Sequence, residues 1–179
     1  MKIVLKPMPQ PDDGVCIGTL DGVPLTYRDQ DLYAGERHVT MAEVGSAFVD
    51  AVNEAATAVL GHEWVSSLAR LMQLNKRTTS RDRIAKFGLP EYVCLFLGQA
   101  AAHSHPRALG HALMCVEEIQ EANTVERYHT GRPSQIDIIG RDMDAKETLR
   151  RALAAVDEVL AEREAFRLGK RSSSSLTSE

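Results

Sequence analysis

Three cysteines are all this 179-residue chain contains, at positions 16, 94 and 115, and no two of them form a CxxC pair. That absence excludes a disulfide-stapled secreted scaffold and a thiolate zinc knuckle. Cys94 and Cys115 fall inside apolar helical patterns, where a thiol behaves as a small buried hydrophobe, so a reducing compartment is expected. Long apolar runs are missing too, and no stretch approaches the length that spans a bilayer. The N-terminus, MKIVLKPMPQPDDG, turns to prolines and aspartates where a signal peptide would stay apolar, so the chain is expected in the cytoplasm and off the membrane. There is no HExxH, and Gly14, Gly18 and Gly22 are spaced for turns with no lysine in the register of a phosphate loop. His103 and His105 lie in a turn, while the densest serines, 172–175, lie in a low-complexity tail with no rigid partner. A reactive thiol needs a basic, partly open setting that neither helical cysteine has. No metal, no cofactor and no enzyme activity are expected.

What is present is an ordinary globular composition, 44% hydrophobic and 26% charged, with a net charge of −4. An acidic total argues against a protein that coats nucleic acid indiscriminately. Residues 1–39 read as a β-meander annex. Asp12-Asp13-Gly14 and Asp21-Gly22 supply its turns, and Pro24 is expected to confine the strand that begins at Val23 to an edge. Residues 40–122 read as a helical core. Its first helix opens on a capping box, Thr40 with Glu43, and carries Val44, Phe48, Val52 and Val59 at helical spacing. Residues 123–143, with Gly131, Pro133 and Gly140, read as a linker in which Ile136, Ile138 and Ile139 suggest a short strand. Asp144 can cap a last helix over 144–168, where Leu149, Leu153, Val156 and Leu160 make a short heptad seam suited to dimerisation or to docking on the core. The tail 169–179 is expected to be disordered. The fold class is therefore mainly α, of α+β type.

The most informative stretch, 64–87, reads as a helix, a break at Gln73-Leu74, and a basic helix from a cap at Asn75 to Phe87. Between Arg70 and Lys86 the charges are Arg70, Lys76, Arg77, Arg81, Arg83 and Lys86 against Asp82 alone, a local +5. Solvated helix faces usually mix signs in i, i+4 pairs, and here Asp82 is the one interleaved acid. Residues 68–81, LARLMQLNKRTTSR, resemble the helix-turn-helix of phage-repressor-type (Xre/Cro-like) regulators. Leu68 and Ala69 match the first helix, Met72 and Leu74 flank the turn, Asn75 stands at the cap, and Thr78, Ser80 and Arg81 match a T-x-S-R run. Gln73 stands where that family usually has glycine, and Thr79 and Asp82 replace residues that normally pack the second helix down.

The resemblance implies a sequence-specific, DNA-binding transcriptional regulator, a repressor by analogy, whose recognition helix enters the major groove of double-stranded DNA. Lys76, Arg77, Ser80 and Arg81 would then reach base edges or flanking phosphates, with Arg70 and Arg83 on backbone phosphates. It also implies a homodimer, since two half-sites need two copies. The rival reading is a phage or mobile-element interaction protein, an antitoxin, an inhibitor or a small packaging subunit, acting through protein–protein contacts.

Overall fold

From residue 15 on, two-residue turns leave successive N-terminal strands no choice but to pair with their neighbours. In the computed structural model, which describes residues 1–125 and 135–175, β1 (Ile3–Leu5), β2 (Val15–Leu20), β3 (Val23–Arg28), β4 (Asp31–Ala34) and β5 (Arg37–Val39) form one antiparallel sheet in sequence order. Pro24 is not on an edge, because β3 lies between β2 and β4. It is tolerated beside the β2–β3 turn, where it is exposed and its carbonyl still accepts the Gly35 N–H at 2.9 Å. The sheet is no annex either. Ile17, Leu20, Leu25 and Val39 join one hydrophobic cluster with residues of the helices that follow.

Those helices are α1 (Met41–Leu60), α2 (Trp64–Leu71), α3 (Arg81–Phe87), α4 (Glu91–Ala101), α5 (Pro106–Val125) and α6 (Gln135–Ser175). The architecture is mixed α+β. The central helix α1 presents Val44, Phe48, Val52 and Val59, all fully buried, at the spacing read from the sequence. Burying Phe48 alone is worth about 2–3 kcal/mol of transfer free energy. Thr40 makes no side-chain capping bond; Glu43 turns instead to Arg37, at 2.6 Å, because a guanidinium on β5 offers a charge-assisted partner. Gly45 sets how closely α3 approaches. A Cβ there would stand 2.1 Å from the Ala85 carbonyl oxygen, so the backbone of α3 lies directly on α1.

The described residues divide into two compact units, Met1–Glu117 and Glu118–Glu179. Helix takes both ends of the expected linker 123–143: α5 continues to Val125, and 135–143 are the first turns of α6, so Asp144 lies inside that helix rather than at its cap. Gly140 is accommodated in the helix interior at about 1 kcal/mol, and the β-branched isoleucines at 136, 138 and 139 follow their helical context. Helix also replaces the expected tail through Ser175; residues 126–134 and 176–179 lie outside the described residues. Cys16 and Cys94 are buried, but Cys115 is exposed, since it falls on the outer side of α5. Among the described residues no helix is long and apolar enough to cross a membrane.

Candidate nucleic-acid interface

The turn after α2 is built around Gln73. Its φ is +52°, the left-handed conformation that a β-carbon disfavours by about 1 kcal/mol. The Leu74 N–H reaches back to the Ala69 carbonyl at 2.8 Å, and the Gln73 N–H to Arg70 at 3.0 Å. This pairing is a Schellman closure, which satisfies the last carbonyls of α2 and reverses the chain.

Beyond the turn, the basic helix expected from Asn75 to Phe87 is divided. Residues 75–79 make a single turn in which the Asn75 Oδ1 accepts the Arg77 N–H at 2.8 Å and the Asn75 carbonyl accepts the Thr78 N–H at 2.7 Å. Ser80 is then extended (φ −69°, ψ 141°), and only from Arg81 does the chain re-enter helix, for the seven residues of α3. The hydroxyls explain the division. Thr79 Oγ1 shares its one proton between the carbonyls of Val65, at 2.9 Å, and Lys76, at 3.0 Å, while Ser80 Oγ donates to Arg77 O at 2.8 Å. Side chains that bond locally to backbone compete with helix in this way. Thr79 is fully buried, so it fills the packing place of the apolar residue it replaces, with its hydroxyl satisfied against α2. Ile84, also fully buried, holds α3 down.

The candidate contact residues fall into separate environments. Lys76 and Arg77 are exposed on the single turn, and Ser80 is half-buried beneath them. Arg81 is exposed but its Nη2 donates to Asn53 Oδ1 at 2.8 Å; the same oxygen accepts the Trp64 indole N–H at 3.0 Å. One amide on α1 thus anchors both α2 and α3. Arg83 lies over the exposed ring of Phe87, 4.7 Å from its centroid, and Lys86 lies 5.2 Å from the same centroid. Arg70 is engaged elsewhere. It meets the Glu117 carboxylate through two bonds of 3.1 and 2.5 Å, and that carboxylate is only 13% exposed. Asp82, exposed in the first turn of α3, packs nothing. Asn53 and Glu117 are the partners that sequence reasoning missed. Asn53 carried a faint signal, a polar residue bordering the apolar stripe of α1, whereas nothing near Glu117 marks it as the mate of an arginine far away in sequence.

No family model, curated protein or solved structure matches this chain. The site's chemistry has to be taken from its own residues.

Next to α3 the first unit holds a cleft of about 780 Å³, walled by Tyr27, Gln30, Arg83, Phe87, Glu91 and Tyr92. Its floor is fixed by Gly88, at φ +72°, where a Cβ would come within 2.8 Å of the Tyr27 hydroxyl. That hydroxyl donates to Leu89 O at 3.1 Å. Burial, reinforced by Cys94 and Glu91 nearby, holds the Tyr27 pKa above the ordinary tyrosine range, and burial does the same to the Cys94 thiol. Both are proton donors to structure, unsuited to acid–base exchange near neutrality. Among the described residues no group of three or more His, Cys, Asp or Glu side chains could hold a metal ion.

Proposed function

We propose that this protein is a cytoplasmic, sequence-specific DNA-binding regulator that contacts double-stranded DNA through residues 75–87 and acts as a homodimer. The reading rests on one observation: the left-handed Gln73 closes α2 and delivers an exposed, almost acid-free basic segment on a buried footing of Thr79 and Ile84. That is the arrangement a phosphate-facing element needs, charge outward and little freedom beneath. The division at Ser80 shapes the contact. Lys76 and Arg77 lead on the single turn, Arg83 and Lys86 follow on α3, and Arg81, bonded to Asn53, orients the segment as well as offering its remaining donors. Such a surface supplies a binding function and no catalytic one. Two copies would place two such elements on successive half-sites about 34–36 Å apart.

Fluorescence anisotropy with a selected duplex pool, at two salt concentrations, is the test. Binding should be tighter than the roughly 10⁻⁴–10⁻⁶ M of non-specific contact. Arg77→Ala should weaken the preferred site by about 1–3 kcal/mol, and Lys76→Ala should reduce the salt slope by about one unit. Arg70→Ala should change affinity little, because Glu117 already holds that guanidinium. Binding at non-specific strength only would remove the regulator reading. A second reading, an interaction protein from a mobile element, is favoured by a specific feature of the other unit: Leu153, Val156, Val159 and Leu160 of α6 stand 51–67% exposed.

A further inference from the structure

Helix α6 shows water what a soluble helix normally covers. From residue 150 through 164 every residue is exposed; the seam begins at the half-buried Leu149 and continues through the exposed Leu153, Val156 and Leu160, with Val159 beside it. Leucines on alternating four- and three-residue steps lie on one side of an α-helix, so the seam is a continuous apolar strip. In heptad terms Leu153 and Leu160 are a positions, and Leu149 and Val156 are d positions. The flanking g positions are Ala152 and Val159; the flanking e positions are Arg150 and Asp157.

We propose that α6 pairs with α6 of a second copy of this chain, and that the two helices run antiparallel. The charges choose the partner and the direction. In a parallel pair, e faces the g residue five positions earlier on the partner, so Arg150 and Asp157 would face Ala145 and Ala152 and gain nothing. In an antiparallel pair a packs on d and e faces e. Leu153 then meets the partner's Val156, Leu149 meets the partner's Leu160, and Arg150 comes opposite the partner's Asp157, twice by symmetry. Arg150 already shares Glu147 with Arg151 along its own helix, and a guanidinium has donors enough for both acids. The ends of the strip fix the register. Lys146 and Arg163 take the next a and d positions and lie opposite each other just beyond the strip, so a slip of one heptad would bury Lys146 against the partner's Val156 or Arg163 against the partner's Leu153. The strip is short, and a seam of this length makes a dimer that dissociates on dilution.

The pairing does not depend on DNA contact, and the experiment is done without DNA, so either reading can fail alone. The full chain, with Cys115→Ser to leave no exposed native thiol, is examined by sedimentation equilibrium up to roughly 100 µM, where mass action favours a weak dimer. Spin labels are then placed at Ala155→Cys and, separately, at Glu162→Cys. These sites are one heptad apart, so a parallel dimer gives the same separation at both. The antiparallel dimer brings the Ala155 labels level but offsets the Glu162 labels by about 22 Å along the axis, at 1.5 Å per residue. Arg150→Glu should weaken association roughly tenfold by setting like charges opposite each other at both symmetric positions. Arg150→Glu with Asp157→Arg should restore it to within about threefold. A monomer throughout this range, equal separations at the two label sites, or a double exchange no better than the single one would each overturn the proposal. Because these residues are exposed, the variants should fold as the parent does, which circular dichroism checks.

Discussion

The two units spend their apolar residues in opposite ways. Met1–Glu117 hides most of them: Phe48, Trp64, Leu68, Ile84, Val93 and Leu97 are completely buried. Residues 150–164 of the other unit leave theirs in water. A buried leucine has already given its transfer free energy to folding, while an exposed one holds it in reserve for a partner. So the first unit owes its shape to its own packing, and α6 is built to acquire part of its surroundings by association. The site follows the same logic within the first unit, where an exposed basic segment stands on the fully buried Thr79 and Ile84.

The sharpest way to break this contrast is to cut matching holes in both regions. Phe48→Ala should lower unfolding free energy by about 3–5 kcal/mol, because a fully buried ring leaves a cavity that close packing cannot refill. Leu153→Ala, at 67% exposure, should change the monomer by less than about 0.5 kcal/mol and show its effect only in association. Urea titration of dilute samples reads the first effect, and sedimentation the second. A large loss from Leu153→Ala at dilutions where the chain is monomeric would mean that α6 contributes to folding rather than waiting for a partner.

Alkali should then separate the units. The folded pKa values of Tyr27 and Cys94 both lie above their ordinary values of 10.0 and 9.0, chiefly through burial. A raised folded pKa means that the native state holds its proton more tightly than the unfolded chain does. That contribution is complete below pH 9.0 and declines as pH rises through the ordinary values toward the folded ones. Stability of the first unit should therefore fall steadily above about pH 9. Tyrosinate absorbance, compared with a Tyr27→Phe variant, should show Tyr27 ionising only as that unit unfolds, and ionisation of Tyr27 near pH 10 in the folded protein would sink the expectation.

A smaller effect tests the footing of the basic segment. Thr79→Val keeps the shape but removes the hydroxyl bonds to Val65 and Lys76, which should destabilise the protein by about 1–2 kcal/mol. Since those bonds hold the single turn against helix, the variant should also gain a little helical circular dichroism around residues 75–80. A stability unchanged within error would mean that the hydroxyl adds nothing beyond the methyl packing.

These residues also mark what the sequence could and could not disclose. The meander, the apolar stripe of α1, the break at Gln73 and the start of α5 at Pro106 are local, and each follows from turn chemistry or a 3.6-residue period. The left-handed backbone at Gln73 was legible only through the helix-turn-helix resemblance, in which that position usually holds glycine; the apolar spacing by itself marked no more than a break. What stayed hidden is non-local. Pro24 gives no sign of which strands flank it, and Arg70 no sign of Glu117 waiting on α5. Thr79 looked like a packing defect because its alternative partner, the Val65 carbonyl, belongs to another element. The division of the basic helix at Ser80 is the same lesson: periodicity read through Thr78-Thr79-Ser80, while local hydroxyl bonds set the backbone.

The finest probe is Gln73 itself. A side chain at φ +52° carries strain that glycine does not, yet glycine also gains freedom in the unfolded chain, and the two terms oppose each other. The strain is the larger, so Gln73→Gly should raise unfolding free energy by about 0.5–1 kcal/mol. Gln73→Val should lower it by a similar or greater amount, about 1 kcal/mol, because a β-branched residue resists this region more strongly. Neither change alters a basic residue, so duplex affinity should follow the turn's geometry. It should hold in the glycine variant, whose Schellman bonds survive, and drop in the valine variant if the turn opens. Should glycine lower stability instead, the exposed Gln73 side chain must be making a stabilising contact of its own. The left-handed turn would then be held by that contact and not by the apolar residues that flank it.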